Sequence, residues 1–75
     1  MNWREHISVD PSVMHGVACL TGTRIPVAVV LDNLAAGLPA EEILASYPGL
    51  SANAIRAALA YAADLASERI LALPA

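Results

Sequence analysis

Two histidines, His6 and His15, one cysteine, Cys19, and the carboxylate of Asp10 are the groups in the N-terminal part of the chain whose types could do chemistry. A thiolate nucleophile needs a neighbouring base or cation to lower its pKa. Cys19 instead lies in an apolar run, Val17-Ala18-Cys19-Leu20, and reads as a small buried hydrophobe. The histidine spacing fits no zinc pattern, and one cysteine cannot complete a typical structural site. Thr21-Gly22-Thr23 has a single glycine and no lysine, so it is no phosphate loop. Glu41 and Glu42 are adjacent, and adjacent helical positions do not face one another. Their place is the first turn of a helix, where carboxylates favour the positive end of the helix dipole. No catalytic residue, metal or cofactor is expected, and the chain does not read as an enzyme.

Binding groups are better represented. Arg24 stands in Leu20-Thr21-Gly22-Thr23-Arg24-Ile25-Pro26-Val27, beside a glycine turn and between two apolar runs. Its five donors could tie the turn to helix carboxylates or to Asp10, which is the preferred reading. Contact with a partner chain or a phosphate is the other. Ser51, Asn53 and Arg56 fall at the start of the last helix, where Asn53 has the geometry to read adenine and Arg56 guanine or a phosphate. For Ser51 the helix N-cap is the preferred reading, and Arg56 equally sits on an ordinary wet helix face.

The elements that position these groups follow from local signals. His6 to Val9 alternates and ends at Asp10-Pro11, as a short strand does. Ser12 to Gly16 is a loop or one helical turn. Val17 to Leu20 and Ile25 to Val27 form a tight hairpin about Gly22, with Pro26 at an edge or where a helix begins. Val27, Val30, Leu31 and Leu34 make a helical stripe closed by Gly37, and Leu38-Pro39 opens a second short helix. After Tyr47-Pro48-Gly49-Leu50, Ser51 caps a helix running to about Arg69, with Ile55, Ala58, Leu59, Ala62, Leu65 and Ala66 as its apolar face. The fold is expected to be mainly α: a three-helix, helix-turn-helix-like domain with a small N-terminal β-hairpin, over residues 1–69. An apolar tail, residues 70–75, either folds back on the core or docks on another chain.

With 57% of its 75 residues hydrophobic and 15% charged, the chain is folded rather than disordered. It is also apolar for a solvated monomer of this size, which points to a homodimer or a required partner. Four arginines, no lysine and seven acidic residues give a formal charge of −3. No broad basic face exists to displace counterions from nucleic acid. A lone cysteine suits a reducing compartment, and no apolar leader or membrane span is evident, so a cytoplasmic, non-membrane protein is expected.

The chain resembles the bacterial family long catalogued as domain of unknown function 433. The resemblance rests on Ile7-Ser8-Val9-Asp10-Pro11, His15-Gly16, Cys19, Gly22-Thr23-Arg24-Ile25-Pro26-Val27, Ala36-Gly37-Leu38, Glu41-Glu42-Ile43-Leu44, Tyr47-Pro48, and Ala58-Leu59-Ala60-Tyr61-Ala62. It implies an often dimeric helix-turn-helix-like domain and an antitoxin role. That role, similar to VapB-like proteins, is to hold a PIN-like ribonuclease toxin and, in complex, to repress the shared operon. An autonomous DNA-binding regulator and a purely structural homodimerisation module are the alternatives. The chain departs from the family where Gly16-Val17-Ala18 replaces a usual Gly-Lys-Pro, which removes a positive charge. Pro39 replaces a hydroxyl cap, and Ser51-Ala52-Asn53-Ala54 replaces a segment with two acids. The resemblance assigns no contact residues; read from the residues themselves, Arg24, Arg69, Ile70, Leu71 and Leu73 are the candidates for the protein partner, and Ser51, Asn53 and Arg56 those for operator DNA.

Overall fold

Proline and glycine set the boundaries of this fold. A computed structural model describes residues 1–67. Its strands are β1 (Ile7–Ser8) and β2 (Cys19–Leu20), and its helices are α1 (Val27–Ala35), α2 (Ala40–Ser46) and α3 (Ala52–Ser67). Single 3-10 turns occupy Trp3–Glu5 and Met14–Gly16. The expected mainly α architecture with a small β element is present.

β1 and β2 pair antiparallel, with Ile7 opposite Leu20 and Ser8 opposite Cys19. The expected hairpin about Gly22 is only half built. Gly22 takes φ +81°, and the Thr23 N–H and hydroxyl both donate to the Leu20 carbonyl, at 3.0 and 2.7 Å. Beyond the turn, however, Ile25 to Val27 forms no strand. It contributes an isolated bridge between Cys19 and Pro26, and the helix begins at Val27. The reason is Pro26, which lacks the N–H a ladder needs and sits at φ −62° as the residue before α1. No side chain caps α1; instead the Val27 N–H donates to the Ala18 carbonyl at 2.9 Å. The strand thus satisfies a donor that the helix leaves orphaned.

α1 ends in a Schellman motif. Gly37 adopts φ +89°, its N–H donates to the Leu34 carbonyl at 3.0 Å, and the Leu38 N–H donates to the Asn33 carbonyl at 3.1 Å. A Cβ at position 37 would meet no other atom within 4 Å. Gly37→Ala is therefore expected to cost about 1–2 kcal/mol through backbone conformation alone. Urea unfolding should show a lower midpoint with an unchanged slope.

α2 is seven residues long and begins after Pro39, which offers no side-chain cap. Ile43 is its one buried residue. Ser51, by contrast, does cap α3: its hydroxyl accepts the Ala54 N–H at 3.1 Å.

The core gathers Ile7, Leu20, Val27, Val30, Ile43, Leu50, Ala54, Ile55 and Ala58, and no polar or charged residue is buried among the described residues. The face of α3 differs from the expected one. Ala54, Ile55, Ala57 and Ala58 are buried, whereas Leu59 and Leu65 are 48% and 47% exposed and Ala66 is exposed. Leu59 lies off the stripe. Leu65 lies on it, seven residues after Ala58 and four after Tyr61, but in a turn that the rest of the fold does not cover. Alanine makes several helix faces look equally apolar in sequence, and the small residues won because they admit close approach of the N-terminal turn, α1 and α2.

The N-terminal turn closes over α3. The Trp3 ring meets Tyr61 edge-on, with centroids 4.9 Å apart and planes at 71°, and its indole N–H donates to the Asp64 carboxylate. The Arg4 guanidinium lies over the same indole, 4.4 Å from the ring centroid. Among the described residues no helix is long and apolar enough to cross a membrane.

Candidate functional site

Two depressions share Val17 as a lining residue. The first is a cleft of about 390 Å³ between β1, the turn of residues 10–13 and the Gly22 turn. Ser8, Asp10, Cys19, Gly22, Thr23 and Arg24 line it, all of them residues that carry the family resemblance. The second is a groove of about 330 Å³ walled by Val17, Ala28, Leu31, Tyr61 and Leu65. No charged side chain lines the groove. Val17 is 45% exposed, unusual for a large aliphatic residue with a core close by.

Three polar groups of the cleft, on Asp10, Cys19 and Thr23, are engaged by hydrogen bonds within the chain. Asp10 Oδ1 accepts the Ser12 N–H at 2.9 Å and the Ser12 hydroxyl at 2.7 Å. These bonds, the backbone one foremost, hold the Asp10 carboxyl below its ordinary value of 3.8 despite a small opposing effect of burial. A depressed folded-state pKa gives stability that is present in full above 3.8 and is lost as pH falls through the lower folded value. Asp10→Asn should therefore flatten the acid limb of the melting profile relative to the parent chain, as thermal melts from neutrality to about pH 2 would read. The Thr23 hydroxyl is engaged by Leu20 and Ile25, and the Cys19 thiol faces the Val17 carbonyl at 3.4 Å. Cys19 is 2% exposed, the buried hydrophobe its sequence context predicts.

Ser8 and Arg24 are the exceptions, and Arg24 is the charged one. It is exposed, and among the described residues its guanidinium makes no hydrogen bond or ion pair. The preferred expectation, that Arg24 ties the turn to Asp10 or to a helix carboxylate, is not met among the described residues: Asp10 bonds to Ser12, and the turn is held by Thr23.

The proposed nucleic-acid residues form a separate group. Asn53 and Arg56 are exposed on the first turns of α3, three positions apart and so on one side of it. Ser51 is exposed with its hydroxyl engaged in the cap. Beside them a depression of about 200 Å³ is lined by Glu5, His6, Thr21, Thr23 and Ser51, which places the carboxylate-bearing Glu5 near the N-terminus of α3. That carboxylate competes for the positive end of the helix dipole that would otherwise favour a phosphate. Arg69, Ile70, Leu71 and Leu73 lie outside the described residues, as do the expected last helical residues 68–69 and the tail 70–75. No group of three or more His, Cys, Asp or Glu that could hold a metal ion occurs among the described residues.

Sequence reasoning named Arg24 but missed the apolar groove. Its signal was present in Leu65, a leucine continuing the stripe past the last residue the core needs.

A family described as a protein of unknown function, DUF433, matches residues 7–62. An uncharacterized protein, y4eO, of Sinorhizobium fredii (strain NBRC 101917 / NGR234) is 39% identical over 59 residues, 79% of this chain and 27% of its own length. The crystal structure, at 2.00 Å resolution, of a DUF433 member protein from Anabaena variabilis ATCC 29413 matches with a TM-score of 0.75 and 36% identity. That match covers 84% of this chain and 62% of the Anabaena chain. The chain thus spans about a quarter of the curated relative and less than two thirds of the structural one.

Proposed function

The chain belongs to the DUF433 family, whose function is unknown, and from that premise we propose that it is a protein-binding module of the antitoxin kind. In this reading it acts by binding and not by catalysis, in the cytoplasm. It holds a PIN-like ribonuclease inactive, and the complex represses its own operon. The observation that carries the reading is that the Arg24 cleft and the Val17–Leu65 groove share Val17 as a lining residue. An apolar groove beside an unengaged guanidinium is built for a protein surface, which offers both aliphatic side chains and hydrogen-bond acceptors. The residues 69–73 supply a second, apolar contact, as a segment laid into the nuclease.

DNA contact is the subordinate part of the proposal. Asn53 and Arg56 are exposed at the start of α3, but the chain has a net charge of −3 and Glu5 lies nearby. Operator binding is accordingly assigned to the complex, in which the nuclease adds positive charge. A homodimer presents the Asn53–Arg56 pair twice and is the form in which the repressor would act.

Co-purification with the product of the adjacent gene, followed by a ribonuclease assay with and without this chain, tests the reading. A stable complex with the nuclease silenced is expected. A nuclease that stays fully active in the presence of this chain would refute it, and a bare homodimer that binds promoter DNA alone, with steep salt dependence, would establish the autonomous regulator instead.

A further inference from the structure

Resting on the protein-binding reading, we infer that the partner presents a segment bearing a carboxylate next to aliphatic side chains, the carboxylate seated on Arg24 and the aliphatics in the Val17–Leu65 groove. The argument is one of hydrogen-bonding capacity and shape. Of the polar groups lining the cleft, Thr23, Cys19 and Asp10 Oδ1 already have partners within this chain. The Ser8 hydroxyl and the guanidinium of Arg24 have none among the described residues, and the guanidinium is the charged group, with five donors and no acceptor. A planar fork of donors matches a carboxylate better than any other group a protein can offer.

The groove sets the second requirement. Its walls are Val17, Ala28, Leu31, Tyr61 and Leu65, with Val17 and Leu65 each nearly half exposed. Water there touches aliphatic carbon on several sides, so an occupant gains most by burying aliphatic groups. A nucleic acid has few aliphatic groups to bring. Because Val17 lines both depressions, one short segment reaches the guanidinium and the groove together. The net charge of −3 on this chain does not draw a carboxylate in at long range, so its recognition has to come from this local pairing.

The experiment uses the full chain and two fluorescent peptides with the same leucine- and isoleucine-rich sequence. They differ at one position, glutamate in one and glutamine in the other. Affinity is read by anisotropy, and location by methyl NMR of Val17 and Leu65. The glutamate peptide should bind about ten-fold more tightly than the glutamine peptide. Both should shift the two methyl groups. Arg24→Gln should erase the difference, and Arg24→Lys should restore part of it. Equal affinities with Arg24 intact, or shifts away from this face, would overturn the inference. So would a groove already covered in the free protein. Concentration-dependent Val17 and Leu65 signals would assign that cover to a second copy, and signals changed by Leu71→Asp to residues 68–75. If the nuclease complex still forms in any of these cases, the protein-binding reading stands and only the identity of the segment falls.

Discussion

Replacing Ile43 by alanine is expected to destabilise the domain by about 2–5 kcal/mol, the largest loss of any single substitution considered. Ile43 is fully buried and is the only buried residue of α2. The helix has little else to hold it. Seven residues are too few for a helix to persist alone in water, and Pro39 supplies no side-chain cap. Removing the isoleucine leaves a cavity beneath α2 and also removes that helix's anchor in the core. A chain of 75 residues has a total stability of only a few kcal/mol, so the variant should be largely unfolded at 37 °C. Far-UV circular dichroism and urea titration would read this directly. A variant with a parent-like midpoint would mean that Ile43 does not anchor α2.

The second large effect concerns binding. Val17→Asp combined with Leu65→Asp should weaken the complex with the nuclease by at least about 2 kcal/mol, roughly thirty-fold in Kd. Each substitution places a carboxylate in an apolar groove where the complex would exclude water. Both side chains are nearly half exposed, so the melting temperature of the free domain should move little. Leu59→Asp is the matched control. Leu59 is 48% exposed but does not line the groove, so its substitution should leave affinity unchanged. Titration calorimetry on the three proteins separates a loss at the groove from a general effect of added charge. Equal losses for the pair and for Leu59→Asp would remove the groove from the interface.

What the sequence made legible was what is decided locally. Ser51 as cap and Gly37 at the end of α1 each follow from one residue's backbone or side-chain chemistry, and each is found in the fold. The pairing of Cys19 with Pro26 as a mere bridge also follows from the missing proline N–H, although the sequence left open how far the second arm would run. Features that depend on distant partners were not legible. Trp3 reaches Asp64 across 61 positions, and no periodicity announces such a contact. The buried face of α3 was obscured because its alanines resemble one another in sequence but not in what they touch. For the candidate site, Arg24 was identified by its unusual setting, while its lack of an internal partner became visible only once Asp10 was seen bonded to Ser12.

Tyr61 stands between two neighbourhoods, with its ring edge-on to Trp3 on one side and forming a wall of the groove on the other. Trp3 is the only tryptophan in the chain. The protein therefore carries a built-in optical reporter: a single indole, one aromatic ring removed from the groove. Occupation of the groove that displaces Tyr61 would change the intensity and wavelength of Trp3 emission, without any label being attached.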